Sequence, residues 1–266
     1  MQDIVEKYLR ELDKYEKPNA KELIDIIFSG FVELNGDRIH GFDNSIISGI
    51  AMLNDTPVTV IGQLRGKNLE QQVKYNFSMM NPQGFRTVVR LIEQSEKFKR
   101  PVVCFVDTIG ANPSLESESY GQASAISKCI SKMLQVKVPV ISILIGYGGS
   151  GGALALCVAD RIFALEFSTL SVIAPRAYAE IVWKDIHREK EAFALLKMTS
   201  QDLMNYGIVD KIILEYSNGE RIEKEALALS IKNHISTEIN NLKRINVNRL
   251  VKERKNKYQY IGRKNR

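Results

Sequence analysis

The chain has 266 residues, 44% of them hydrophobic and 26% charged, with a formal net charge of +6. That is enough chain for one large domain with a real core, and the composition excludes a disordered polymer, a collagen-like chain and a disulfide scaffold. The basic excess, which would suggest a nucleic-acid partner, is local: from Lys243 to Arg266 ten Lys/Arg face one acid, Glu253, so this tail carries +9 and the body before it −3.

The opening stretch MQDIVEKYLRELDKYEK mixes both charge signs and has no apolar core, so it is not a secretory signal. Ile4, Tyr8, Leu12 and Tyr15 recur at helical spacing and predict a helix that ends before Pro18. Apolar runs Ile46–Leu53 and Pro57–Leu64 read as strands, with Asn54-Asp55 as their hairpin turn. Gly84–Phe98 places Val88, Leu91, Ile92 and Ser95 on one helical face, and Pro101–Asp107 reads as the next strand. Gly121–Leu134 is helical, with Ile126, Ile130, Met133 and Leu134 on one side. Strand signals follow at Val138–Ile145, Arg161–Glu166 and Ser171–Ile173. Helices are expected from Glu189 to about Lys197, over Thr199–Tyr206 and over Ile222–Leu242. Thr199-Ser200-Gln201-Asp202 supplies an N-terminal cap and Gly207 the stop for the middle one. Strands alternating with helices indicate an α/β fold. The organisation expected is an N-terminal helix (1–18), one domain (19–242) and a solvated basic tail (243–266). The tail interleaves Val251, Tyr258, Tyr260 and Ile261 with its charges, so docking on an acidic partner stays open, and any nucleic-acid contact would run through it.

Cys104, Cys129 and Cys157 lie far apart in apolar contexts and read as buried free thiols in a reducing, cytoplasmic setting. There is no CxxC pair and the three histidines are scattered, so no metal site is expected in this chain. Val138–Ala159 runs 22 residues without a charge, long enough to span a bilayer. Pro139 and the five glycines 146, 148, 149, 151 and 152 break it into strand, loop and small-residue helix, which is a buried segment of a soluble fold.

That glycine loop is the most informative segment. Loop N–H groups and the start of a helix would face whatever binds there. Three patterns overlap. Gly146, Gly148 and Gly151, with Glu166 twenty residues on, match a dinucleotide fingerprint. Gly148, Ser150 and Gly152 match a nucleophile elbow, for which Asp210 and His234 would complete a triad. Consecutive glycine N–H groups at a helix start also suit an oxyanion hole with no side-chain nucleophile. Against all three stands close helix–strand packing that simply needs glycine.

Several segments together resemble the carboxyltransferase alpha subunit of bacterial acetyl-CoA carboxylase: FVELNGDR (31–38), VTVIGQLRGKN (58–68), NPQGFRTVVRLIEQSEKFKRPVV (81–103), DTIGANP (107–113), GQASAI (121–126), IGYGGSGGALAL (145–156), IAPRAYAEIVWKD (173–185) and LKMTSQDLMNYGIVDKII (196–213). They cover roughly residues 20–215 in one order, which is far more specific than any motif alone. The resemblance implies a crotonase-like fold of stacked ββα units, here with helical N- and C-terminal extensions. It implies transfer of a carboxyl group from carboxybiotin, held on a carrier protein, to acetyl-CoA, giving malonyl-CoA for fatty-acid synthesis. It also implies a beta subunit that carries a zinc ribbon, in an α2β2 assembly, and no cofactor bound covalently to this chain. Lys197 lies in Leu-Lys-Met rather than the Met-Lys-Met of a biotinyl domain.

On this reading the N–H groups of Gly151 and Gly152 form the hole for the biotin ureido oxygen. Gly148, Gly149, Ser150, Ala153, Ile173, Ala174 and Pro175 bind carboxybiotin, and Gly110 and Ala111 belong to a further loop lining the site. The chain departs from the family pattern at Tyr147, where the family has Glu, at Arg176-Ala177 for Glu-Gly, and at Ile109 and Asn112 in the DTPGAYP segment. A paralogous subunit acting on another acyl-CoA, a scaffold subunit without turnover, and a dinucleotide-dependent oxidoreductase are the competing readings.

Overall fold

Seven strands form one sheet whose spatial order is the order of the chain: β1 (Ser29–Glu33), β2 (Ile46–Leu53), β3 (Thr56–Gln63), β4 (Val102–Thr108), β5 (Val140–Gly148), β6 (Arg161–Leu165) and β7 (Lys211–Ile213). The structure is a computed structural model that describes residues 2–14 and 16–261, so Tyr15 and the last five residues of the basic tail lie outside the described residues. β1 to β3 pair antiparallel, and every pairing from β3 to β7 is parallel. β2 and β3 pair from Ile46↔Gln63 to Leu53↔Thr56, so the expected two-residue turn at Asn54-Asp55 closes the hairpin, with Asn54 at φ +50°. The parallel strands are joined by helical crossovers, as parallel pairing requires.

Because a strand alternates its side chains, β4 feeds two cores. Val102, Cys104 and Val106 pack on the face covered by helices Pro82–Lys97, Gln122–Gln135 and Ser150–Cys157, with Val88, Ile92 and Met133 among the partners. Val103 and Phe105 pack on the opposite face, under helices Ala20–Ile27 and Lys224–Lys243, against Leu23, Ile24, Ile231 and Ile235. Burial on both faces explains why these strands read as continuous apolar runs. All three cysteines are buried in the first core, where burial raises their thiol pKa values, those of Cys129 and Cys157 to about 12.

Two sequence expectations change. Ser171–Ile173 is not a strand; Ser171 makes only an isolated bridge to Gly149, because the chain turns there to close over the glycine loop. The basic tail is not simply solvated. Helix Val247–Tyr260 lies on the body, and Arg254 is fully buried. Its guanidinium donates to Asp160 Oδ1 (2.9 Å) and Oδ2 (2.6 Å) and to the carbonyls of Met133, Val136 and Val138, each at 2.8 Å. Tyr258 Oη accepts from Ala159 N–H (2.7 Å) and donates to the Cys157 carbonyl (2.8 Å).

The N-terminal helix (Gln2–Leu12) packs through Val5 and Tyr8 on Phe167, Phe193 and Met198. Burial raises the Tyr8 phenol to about 12, and its Oη accepts from Ser200 N–H while donating to the Ser168 carbonyl. The capping box at Thr199 and Asp202 forms as the sequence predicts. No helix among the described residues is long and apolar enough to cross a membrane.

Candidate active site

β5 runs into Gly149, the backbone flips to φ +49° at Ser150, and helix Ser150–Cys157 begins at once. A helix start leaves four N–H groups without an intrahelical acceptor. Two are used here: Gly149 N–H donates to the Thr108 carbonyl (2.8 Å) and Ser150 N–H to the Ser171 carbonyl (2.7 Å). The N–H groups of Gly151 and Gly152 have no acceptor among the described residues.

The glycines of the loop divide into two kinds. A Cβ on Gly149 would lie 2.2 Å from the Ile109 carbonyl group, and one on Gly152 would lie 2.7 Å from the Gly110 carbonyl carbon and 2.8 Å from Ala111 N. These positions need glycine so that the backbone of the 109–111 loop can seat on the helix. At Gly151 the nearest atom to a Cβ is Ile126 Cγ2 at 3.6 Å, an ordinary contact. Packing therefore explains Gly149 and Gly152 but does not require glycine at Gly151.

A cavity of about 130 Å³ opens beside the loop. Of the residues expected to bind, Gly148, Gly149, Ile173, Ala174 and Pro175 line it, and Ile109 and Tyr147 complete its wall. Ser150, Gly151, Gly152 and Ala153 do not line this cavity; Ser150 is exposed and Ala153 buried. Gly110 and Ala111 lie against Gly152. Leu9, Phe193 and Met198 make the cavity largely apolar.

Two of the competing motifs fail on geometry. The Ser150 backbone has the strained form of a nucleophile elbow, but its triad is not assembled. Asp210 Oδ2 accepts from Ile162 N–H (2.7 Å) and Lys257 Nζ (2.5 Å). His234 packs edge-on against Phe163 from helix Lys224–Lys243, on the opposite face of the sheet from the glycine helix. The dinucleotide fingerprint lacks its setting, because a sheet ordered β1 to β7 has no switch point where the strand order reverses. Glu166 is also occupied, accepting from Glu215 N–H at 3.0 Å.

Sequence reasoning missed the ionic network behind the loop. Asp107, at the end of β4, is buried against Gly146, and its Oδ1 accepts from Tyr147 N–H (2.9 Å). Burial raises its pKa despite the nearby Arg65 and Lys17. Burial alone would lower the pKa of Arg65, but Asp107 and Asp13 outweigh it and raise it. Asp107 opens the DTIGANP segment, but nothing in its local spacing shows that Arg65 and Lys17 converge on it. Asn112, a departure from the family pattern, ties its loop to the start of helix Pro82–Lys97 by donating to Asn81 Oδ1 (2.7 Å).

The family model "Acetyl co-enzyme A carboxylase carboxyltransferase-like" matches residues 11–262. The chain belongs to this carboxyltransferase family. Curated relatives of the alpha-subunit family include the acetyl-coenzyme A carboxylase carboxyl transferase subunit alpha of Clostridium acetobutylicum, 45% identical over 93% of this chain and 90% of that protein. The same subunit of Clostridium perfringens is 48% identical over 92% of this chain and 90% of its own length. A Clostridium tetani relative named as carboxyl transferase subunits beta/alpha is 43% identical over 93% of this chain, which spans 43% of it. Among solved structures, transcarboxylase 12S is similar with a TM-score of 0.68 at 16% identity, over 85% of this chain and 42% of that one. The beta subunit of Pseudomonas aeruginosa geranyl-CoA carboxylase is similar with a TM-score of 0.65 at 16% identity, over 90% of this chain and 43% of that one. The carboxyltransferase alpha-subunit family member described here therefore has the crotonase-like α/β fold. Within it, Tyr147 stands in the cavity wall, whereas Arg176 is exposed on the short helix Pro175–Tyr178.

Proposed function

We propose that the chain is the alpha half of an acetyl-CoA carboxyltransferase that moves a carboxyl group from carboxybiotin, presented on a carrier protein, to acetyl-CoA, yielding malonyl-CoA. The observation that carries this reading is the pair of N–H groups at Gly151 and Gly152, which have no acceptor among the described residues and follow directly on Gly148 and Gly149 in the wall of a largely apolar cavity. In the transfer the C–N bond to the carboxyl group breaks and the new C–C bond forms at the acetyl methyl carbon. The methyl proton passes to the ureido nitrogen, so no side-chain base is obligatory. Negative charge develops on the ureido oxygen, and two fixed N–H donors lower the barrier, each by about 3–4 kcal/mol in comparable holes. Ile173, Ala174 and Pro175 close the ring cavity, while the thioester is held mainly by the beta subunit.

A beta partner fits the existence of relatives named as beta/alpha single chains. The zinc ribbon implied by the family resemblance is assigned to that partner. The test is reconstitution with a zinc-ribbon beta subunit and assay of malonyl-CoA decarboxylation with biocytin. Turnover that needs both the partner and biocytin is expected. Assembly without turnover would instead make the chain a scaffold, and failure to assemble would overturn the reading.

A further inference from the structure

We propose that Asp13, Arg65 and Tyr147 form a clasp by which the N-terminal segment fixes one wall of the ring cavity, making Tyr147 a positioning residue for the biotin end of the substrate; this rests on the carboxyltransferase reading above. Tyr147 Oη donates to Asp13 Oδ2 (3.0 Å), and Arg65 Nη2 donates to Asp13 Oδ1 (2.6 Å). The Arg65 guanidinium carbon lies 4.4 Å from the centre of the Tyr147 ring. Each member thus touches both others, although Asp13 is 52 residues from Arg65 and 134 from Tyr147. The backbone of Tyr147 is fixed as well, through its N–H to Asp107.

The placement connects this closed triangle to the site. Tyr147 lines the cavity, and so does Leu9, one helical turn before Asp13 on the same segment. The ion pair to Asp13 holds the Arg65 guanidinium against the ring, and the buried Asp107 lines the same small cavity as Asp13 and Arg65. A ring pinned by a hydroxyl bond on one side and a cation on the other needs no ordering when a ligand enters, and such preorganisation raises affinity. The clasp acts through the cavity wall, and none of its hydrogen bonds involves the N–H groups of Gly151 or Gly152.

The experiment uses the chain assembled with its beta subunit. Tyr147→Phe keeps the ring and removes the hydroxyl bond; Asp13→Asn weakens the hold on both partners. Each variant is expected to raise KM for biocytin about five- to tenfold, the range of one lost hydrogen bond. KM for malonyl-CoA, and kcat at saturating biocytin, should stay within about twofold of wild type. Lys21→Gln, which breaks the exposed Lys21–Asp25 pair, serves as the control and should move none of these. If Tyr147→Phe lowers only the unfolding midpoint and leaves KM for biocytin unchanged, the clasp is merely structural and the proposal falls. If the wild-type complex assembles but ignores biocytin, the carboxyltransferase reading itself fails and takes the clasp with it.

Discussion

At the scale of single residues, the five glycines of one loop do different jobs. Gly149→Ala and Gly152→Ala each drive a Cβ into backbone of the 109–111 loop, which no rotamer change relieves. Overpacking of this kind costs about 1–3 kcal/mol or more, so both variants should unfold at visibly lower urea concentration than wild type. Gly151→Ala should leave the urea midpoint nearly unchanged, because its Cβ meets open contact distance. This division was not legible in the sequence, where the five glycines look equivalent. It depends on how closely a loop about forty residues earlier approaches each one.

Asp37 makes a second prediction at this scale. Burial alone would raise its pKa, but Oδ1 accepts the N–H groups of Ile39, His40 and Gly41, and Oδ2 accepts Arg86 Nε at 2.7 Å. The balance holds the carboxyl at about 2 against 3.8 for the free group. A folded pKa below the unfolded one gives stability that is present above the unfolded value and lost as pH falls through about 2. The stability gap between wild type and Asp37→Asn should therefore shrink as pH falls from 5 toward 2, measured by urea unfolding at each pH; a gap that stays constant would contradict this assignment.

At the scale of elements, the central strands were legible because runs such as 101–107 are apolar on both sides and bounded by turn or helix signals. The Thr199 cap was legible because its chemistry is local. The C-terminal helix was not. Its composition reads as a charged, solvated run, and the one arginine that is buried finds its carboxylate 94 residues away. Burial of Arg254 is tolerable because every guanidinium nitrogen donates to an acceptor. Removing it leaves Asp160 buried with, among the described residues, just the N–H of Val140 on its Oδ2, together with three carbonyls that lose a donor. Arg254→Ala should destabilise the chain by about 3–5 kcal/mol, the usual penalty for breaking a buried pair. Thermal unfolding of that variant checks the value, and a loss near zero would mean the helix is dispensable. Tyr258 reaches the carboxyl end of the glycine helix, so the same element also braces the site from behind.

At the scale of the whole molecule, one sheet divides two cores, and the site forms where β4 and β5 end on the face that carries the glycine helix. Each end of the chain reaches it. The N-terminal helix supplies Leu9 to the cavity wall and Asp13 to Tyr147, and the C-terminal helix holds the far end of the glycine helix. Fold and family were legible as an ordered set of motifs. The ionic network behind the loop was not, since Asp13, Arg65, Asp107 and Tyr147 come together only when the strands are in register. The central claim is that the N–H groups at the start of the glycine helix stabilise charge in carboxyl transfer, and Gly151→Val tests it most directly, by adding a branched side chain beside those donors at a position where a Cβ meets only an ordinary contact. In complex with the beta subunit, the variant should assemble normally and lose activity about 100-fold or more in biocytin-dependent malonyl-CoA decarboxylation. A Gly151→Val complex with full activity would contradict the account.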